Sequence, residues 1–190
     1  MTDWIGDLIA NPLALRDWNL ASDAGLESVN DEAWQLSAES FSLIQPLLEE
    51  PLGQESVVPE LIGVLADALV MSGAAMMKVG TSRPASGGEH KISHAIDELF
   101  GVRAYHGAQV AFASLVSTAL HGLEVRGLRR RLMNVGLPHH PGQLGLSRSD
   151  MVSVLLRAPN TRPGRFTILE SAGLDERTAA ALSHSLWPGP

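Results

Sequence analysis

Two histidines, His90 and His94, stand four residues apart in the middle of the chain. Residues at this spacing lie one turn apart on one face of an α-helix, so the two imidazoles can share a metal ion or a substrate. A third histidine, His106, follows directly before Gly107, and a short helical hairpin could return it to His90. Neutral imidazoles bind zinc, nickel and ferrous iron, and a carboxylate usually completes such a site. Spacing alone does not identify the carboxylate, and it equally permits histidines that only make hydrogen bonds.

The segment before His90 is rich in groups that bind anions. Arg83 stands seven residues ahead of it, and residues 86–88, Ser-Gly-Gly, can turn backbone N–H groups toward an anion at the start of a helix. A guanidinium binds a phosphate through parallel hydrogen bonds. Together with His94, these groups predict a site for a phosphate or a polyol phosphate.

The composition excludes several classes of function for this protein. The 190 residues carry 14 Lys and Arg against 21 Asp and Glu, a net charge of −7, which opposes attraction to nucleic acid or to an anionic membrane. The absence of cysteine excludes disulfides, thiolate metal ligands and a cysteine nucleophile. A metal in this chain must therefore be held by His, Asp or Glu. The length predicts a single domain over residues 1–190.

The sequence also predicts a cytoplasmic protein without a membrane partner. The residues after Met1 lack the basic and apolar segments of a signal peptide. The longest apolar stretch, from Val57 to Val79, is interrupted by charged residues and glycines. This pattern favours a buried helix over a membrane span.

Helix signals dominate the chain and predict an all-α bundle. Asn11 and Pro12 indicate an N-cap and a first helical position, with the helix ending near Gly25. Another helix is predicted from Asn30, with a kink near Pro46. A third, apolar on most sides and spanning 59–79, is predicted to be the centre of the bundle. Further helices are predicted over 89–100, 105–123, 126–135, 147–157 and 175–187, and a short extended piece over 165–169.

Longer motifs connect these segments to a known family. The runs SRPASGGEHKISHAID at 82–97 and YHGAQV at 105–110 closely resemble the metal-binding signature of sn-glycerol-1-phosphate dehydrogenases. These enzymes belong to the superfamily of iron-containing alcohol dehydrogenases, glycerol dehydrogenases and 3-dehydroquinate synthases. GDLIAN at 6–11 with RDW at 16–18, and TRPGRFTIL at 161–169, resemble further segments of the family. The resemblance implies the family's C-terminal, helical, metal-binding domain.

The resemblance also implies roles for individual residues. It implies a metal held by Asp7, His90 and His106, which supplies the carboxylate that spacing left open. It implies a catalytic His94 beside the substrate or its phosphate, and an Arg83 that faces the phosphate. In the dehydrogenases the metal is a Lewis acid, while hydride passes to or from NAD(P). Zinc is the metal expected first, with nickel and iron as alternatives.

Relatives carry a Rossmann-type dinucleotide-binding domain ahead of the Asp motif, whereas this sequence starts six residues before Asp7. We therefore expect NAD(P) to come from a separate Rossmann-type subunit, and an apolar face to be covered by it or by a homo-oligomer. Two alternatives remain open. One is a stand-alone metal-dependent lyase or hydrolase acting on a small phosphorylated metabolite, and the other is a non-catalytic binding or scaffold remnant. The remaining histidines are interpreted as structural: His121, His139, His140 and His184.

Overall fold

The structure is a computed structural model that describes residues 2–52 and 59–188. Val57, where the predicted apolar stretch begins, and Met1 lie outside the described residues. Within the described ranges the regular elements are α-helices joined by turns and short 3-10 segments, with no β-strand, so the predicted all-α fold is confirmed. The helices are α1 (Thr2–Asp23), α2 (Asp31–Ile44), α3 (Pro59–Val79), α4 (Gly88–Phe100), α5 (His106–Leu120), α6 (Val125–Asn134), α7 (Arg148–Arg157), α8 (Ile168–Ala172) and α9 (Glu176–Leu186).

The core forms around α5, which is buried along most of its length. Helices α1 and α4 pack directly against it, and α2 and α3 pack on the other side of α1. In the middle of α5, the Phe112 ring stacks on Trp187, with ring centroids 5.3 Å apart. The buried side chains of α1, α4 and α5 thereby fix the relative positions of the three helices that carry the predicted metal ligands.

Helix α1 begins earlier than the sequence predicted. It starts at Thr2 and continues through Pro12, so the predicted N-cap at Asn11 is wrong. Ile5 and Leu8 are fully buried in the core. Their packing holds residues 2–11 helical although proline supplies no N–H donor to the helix.

Helix α3 is an outer helix, and the prediction that it forms the centre of the bundle is wrong. Its buried residues form one stripe that packs on α2 and α1. On the opposite face Ile62, Val70 and Met77 are 48%, 70% and 84% exposed. By length and composition, Leu61–Val79 is the one segment within the described ranges that is apolar enough to cross a membrane, and 22% of it is buried. Because α3 is apolar on most sides, its sequence did not indicate which side packs against the other helices.

Three predicted helix starts are confirmed by their hydrogen bonds. The side chains of Asn30, Ser147 and Asp175 each accept a backbone N–H three residues ahead. The predicted extended piece at 165–169 is wrong in its second half, because Thr167 caps the short helix α8. Such a cap involves only residues that are close in the sequence. This explains why the start of a helix can be recognised from the sequence alone.

Candidate metal centre

Helices α1, α4 and α5 bring Asp7, His90 and His106 together. One ligand atom from each lies within 4.8 Å of the others, and the two imidazole centroids are 5.2 Å apart. Asp7 and His90 are half-buried, and His106 is exposed. The cluster therefore lies at the edge of the core with one side open.

The close approach of α1 and α5 depends on two glycines next to the ligands. A Cβ atom on Gly107 would collide with the backbone carbonyl of Asp3, and one on Gly6 would collide with the carbonyl of Gly107. The N–H of Ala108 also donates to Oδ1 of Asp3 at 3.1 Å. Gly6 precedes Asp7, and Gly107 follows His106. Contact between the two backbones thus sets the distance between the two ligands.

The carboxylate of Asp7 shows that the cluster suits a cation. Its Oδ1 atom is buried and has no hydrogen-bond partner among the described residues. Burial raises the pKa of Asp7, an effect opposed by His106 and His90 and reinforced by Asp3. A buried carboxylate oxygen without a partner is costly, and a metal ion satisfies it directly. Two imidazoles and one carboxylate are the donor set of zinc and of other divalent transition metals.

A second carboxylate, missed by sequence reasoning, orients one of the candidate ligands. Glu89 is fully buried, and its Oε1 atom lies 3.0 Å from Nδ1 of His90. A carboxylate at Nδ1 makes this nitrogen the N–H donor and leaves Nε2 as the ligand atom. Helical periodicity gave no signal for this contact, because adjacent residues on a helix point in different directions.

His94 lies beside the cluster, with its ring centroid 6.1 Å from that of His106. Burial lowers its pKa, the nearby His90 and His106 lower it further, and Arg162 adds to the effect, while Asp97 opposes it. The imidazole is therefore neutral near pH 7 and offers one donor and one acceptor.

A cavity of about 340 Å³ opens over these histidines. Arg162 reaches into it, and its Nη1 atom donates to Oγ of Ser82 at 3.1 Å and to Oγ of Ser86 at 3.5 Å. Sequence analysis did not single out Arg162, which appeared there only within the TRPGRFTIL segment of the family resemblance. The residues that line the cavity are Asp7, Leu8, Asn11, Leu69, Ser72, Gly73, Met76, Ser82, Ala85, Ser86, His90, His94, His106 and Arg162.

The structure does not bring Arg83 into this cavity. Its side chain is 1% exposed, and its Nε donates to Oε2 of Glu27 at 2.8 Å. Its Nη2 donates to the carbonyl of Phe166 at 2.6 Å. The guanidinium therefore ties the loop before α4 to the segments around Glu27 and Phe166.

The backbone N–H groups before α4 are also occupied. The N–H of Gly87 donates to Oε1 of Glu89 at 2.6 Å, and that of Gly88 donates to Oδ2 of Asp17 at 2.7 Å. The prediction that these amides bind the anion of a ligand is wrong at both positions, because the protein's own carboxylates take them. Buried N–H groups are satisfied by the nearest acceptor, and α1 supplies one here.

Asp17 also accounts for one of the histidines that were interpreted as structural. Its Oδ1 atom accepts from the N–H of Ile168 at 2.7 Å and lies 3.0 Å from Nε2 of His121. Asp17 is fully buried, so these contacts tie α1 to the starts of α4 and α8 and to the end of α5. The structural interpretation of His121 agrees with this geometry.

Comparison with known proteins identifies relatives for this arrangement. The glycerol-1-phosphate dehydrogenase [NAD(P)+] of Cenarchaeum symbiosum (strain A) is 36% identical over 178 residues, which is 94% of this chain and 49% of that protein. Those of Methanosphaerula palustris and Pyrococcus abyssi are 38% and 37% identical, over 95% and 92% of the chain. No protein-family model matches. The chain spans about half the length of the curated relatives it matches. As its motifs predict, it is homologous to the C-terminal half of the glycerol-1-phosphate dehydrogenases.

Proposed function

We propose that this chain supplies the metal- and substrate-binding part of an NAD(P)-dependent dehydrogenase that acts on a hydroxyl group of a polyol phosphate. The observation that carries the proposal is the cluster of Asp7, His90 and His106, held open to a cavity in a chain related to such dehydrogenases. The three side chains would hold a divalent metal, zinc by preference. The metal would act as a Lewis acid that stabilises negative charge on the reacting oxygen.

His94 is the residue that handles the proton. Its imidazole lines the cavity beside His106 and is neutral near pH 7, because burial and the neighbouring His90, His106 and Arg162 lower its pKa. A free ring nitrogen can therefore accept the proton of the reacting hydroxyl, and it returns the proton in the reverse reaction.

Arg162 is the residue that binds the phosphate. Its guanidinium lines the same cavity as the metal ligands, and the hydroxyl groups of Ser82 and Ser86 hold it in place. A guanidinium presents paired N–H donors that match phosphate oxygens. Arg83, which the resemblance placed at the phosphate, takes a positioning role instead, because it holds the loop that carries Ser82 and Ser86.

NAD(P) would bind to a nucleotide-binding partner. The relatives are named as NAD(P)+ enzymes, and the chain matches half of their length. The exposed apolar side of α3 is available for such a partner or for a second copy of the chain. Metabolic relatives of this kind also support a cytoplasmic location and a small-molecule polyol phosphate as the substrate.

The test has two readouts. Elemental analysis should find about one equivalent of transition metal in the wild type, almost none in the His90→Ala/His106→Ala variant, and a full complement in the His184→Ala control. His184 is exposed and lies outside the cluster. Co-expression with the nucleotide-binding half of a relative should then give NAD(P)-dependent oxidation of glycerol 1-phosphate by the wild type.

Other results would contradict the proposal. A wild type that binds no zinc, nickel or iron would overturn the metal centre and favour a scaffold role. Turnover of a polyol phosphate by the metal-loaded chain without NAD(P) would replace the dehydrogenase with a metal-dependent lyase or hydrolase.

A further inference from the structure

An amide on α1, one turn beyond Asp7, lies in the same cavity as the metal ligands. Asn11 is 1% exposed, and it lines the cavity. Its Nδ2 atom donates to Oγ of Ser40 at 2.8 Å and to Oγ of Ser72 at 3.1 Å. Its Oδ1 atom is buried and has no hydrogen-bond partner within residues 2–52 and 59–188. The Asn11 side chain is therefore held in place by the hydrogen bonds of its nitrogen, while its oxygen accepts none from the described residues.

The neighbouring hydroxyl group determines which way the amide points. The Oγ–H of Ser40 donates to the carbonyl of Ser37 at 2.7 Å, so its only proton is already used. Towards Asn11, Ser40 can act only as an acceptor, and the group that faces it must be the NH₂. Rotating the amide by half a turn would place two acceptors against each other. Hence Oδ1 is fixed as the atom without a partner.

The buried amide oxygen of Asn11 is an unpaired hydrogen-bond acceptor within the described part of the chain. Leaving it unpaired costs free energy, and any ligand group that donates to it recovers that cost. Asp7 and Asn11 are four residues apart on one helix, which places their Cβ atoms roughly 5–6 Å apart. A donor that reaches Oδ1 of Asn11 would thus belong to an atom close to the one bound at the metal.

We propose that Asn11 determines substrate specificity by accepting a hydrogen bond from a second hydroxyl group, on the carbon next to the one that reacts. The site then prefers phosphates of vicinal diols over phosphates with a single hydroxyl group. This inference rests on the proposed function, because it assigns the substrate class of the same cavity. In this inference Asn11 takes no part in the chemical step. Arg162 binds the phosphate at the other end of the ligand.

The experiment compares two ligands on the zinc-loaded full chain by isothermal titration calorimetry. One is sn-glycerol 1-phosphate, and the other is propane-1,2-diol 1-phosphate of matching configuration, which lacks only the terminal hydroxyl group. We expect the wild type to bind glycerol 1-phosphate about tenfold more tightly, as one hydrogen bond to a buried acceptor predicts. The analogue with fluorine in place of the terminal hydroxyl group should bind as weakly as the deoxy compound, since fluorine has no proton to donate.

The variants separate recognition from structure. In Asn11→Ala the two affinities should become equal within about twofold, mostly through loss of affinity for glycerol 1-phosphate. Ser40→Ala removes an anchor of the amide but keeps Oδ1, and it should retain the preference. Ser40 is buried away from the cavity lining.

The other outcomes of the titrations distinguish failure of this inference from failure of the proposed function. Equal affinities in the wild type, or a preference that survives Asn11→Ala, would overturn the inference while leaving the proposed function intact. If the wild type binds neither phosphate, the proposed function itself is wrong, and the inference falls with it. Should Asn11→Ala not fold, the fluorinated ligand decides on the wild type alone, because tight binding of that ligand contradicts the inference.

Discussion

Nδ1 of His90 lies 3.0 Å from Oε1 of Glu89, and the same oxygen accepts the N–H of Gly87 at 2.6 Å. The start of α4 and one candidate metal ligand therefore share a single buried carboxylate. The other oxygen, Oε2, has no partner among the described residues. Glu89 thus orients the imidazole of His90, as carboxylates behind metal-binding histidines do.

Replacing this carboxylate should weaken metal binding without removing a ligand. We expect Glu89→Gln to lower the affinity for zinc by about 10- to 100-fold, because the amide oxygen can still accept the Nδ1–H bond of His90 but supplies no negative charge behind the imidazole. Competition with a chelating dye measures the affinity, and ¹⁵N chemical shifts of the imidazole report the tautomer. Glu98→Gln is the matched control, since Glu98 lies on the same helix but pairs with Arg157 at the surface. An unchanged zinc affinity in Glu89→Gln would contradict the assigned role.

The contact between α1 and α5 should tolerate no side chain at Gly107. We expect Gly107→Ala to force the helices apart, to destabilise the fold by about 1–3 kcal/mol and to abolish tight zinc binding. Gly63→Ala is the control, because its added methyl group meets no atom within 4 Å and replaces a helical glycine. Urea unfolding and zinc titration of both variants check the prediction. Normal zinc affinity in Gly107→Ala would show that the spacing of the ligands does not depend on this contact.

The two arginines near the cavity should respond differently to truncation. Arg162→Ala should reduce the affinity for glycerol 1-phosphate by about tenfold or more and leave the stability nearly unchanged. Arg83→Ala should instead cost about 2 kcal/mol of stability, because it removes buried, charge-assisted hydrogen bonds to Glu27 and Phe166. Calorimetric binding and thermal unfolding separate these effects, with the exposed Arg126→Ala as the control. A ligand affinity that depends on Arg83 alone would reverse the two assignments.

Two helix-capping carboxylates should contribute to stability in a pH-dependent way. The backbone N–H of Ser147 lowers the pKa of Asp150, and the side chain and backbone N–H of Thr178 lower that of Asp175. Their contribution is present above the pKa of the unfolded chain, near 3.8, and is lost as the pH falls through the lower pKa of the folded chain.

In Asp150→Asn/Asp175→Asn, the amide oxygens can still accept the capping hydrogen bonds, but they do not titrate. The thermal midpoint of the double variant should therefore fall less steeply than that of the wild type between about pH 5 and about pH 2. Identical slopes in the two proteins would mean that these caps do not contribute to the acid side of the stability curve.

The features that the sequence predicted depend on neighbours along the chain. The caps at Asn30, Ser147 and Asp175 need only a side chain and an N–H three residues away, so the residue types were sufficient to locate them. Spacing also placed His90 and His94 on one helix. Asp7 was predicted as a ligand from the family resemblance alone, because no local rule connects α1 to α4.

The features that were missed depend on contacts between distant segments. Helix α1 continues through Pro12 because buried side chains on its face pack against α5. The amides before α4 meet Asp17, which is 71 positions away from Gly88, rather than a ligand. Arg83 lies outside the cavity and Arg162 lies in it for the same reason, since both are placed by partners far along the chain.

The bond between Asp3 and Ala108 joins residues 105 positions apart. Helices form in about a microsecond, but closing so long a loop has an entropic cost that local structure does not share. Zinc capture during refolding would therefore follow the docking of α1 on α5 and not the formation of either helix. During synthesis on the ribosome, the carboxylate of Asp7 emerges first, and it remains without His106 until more than half of these 190 residues have been made.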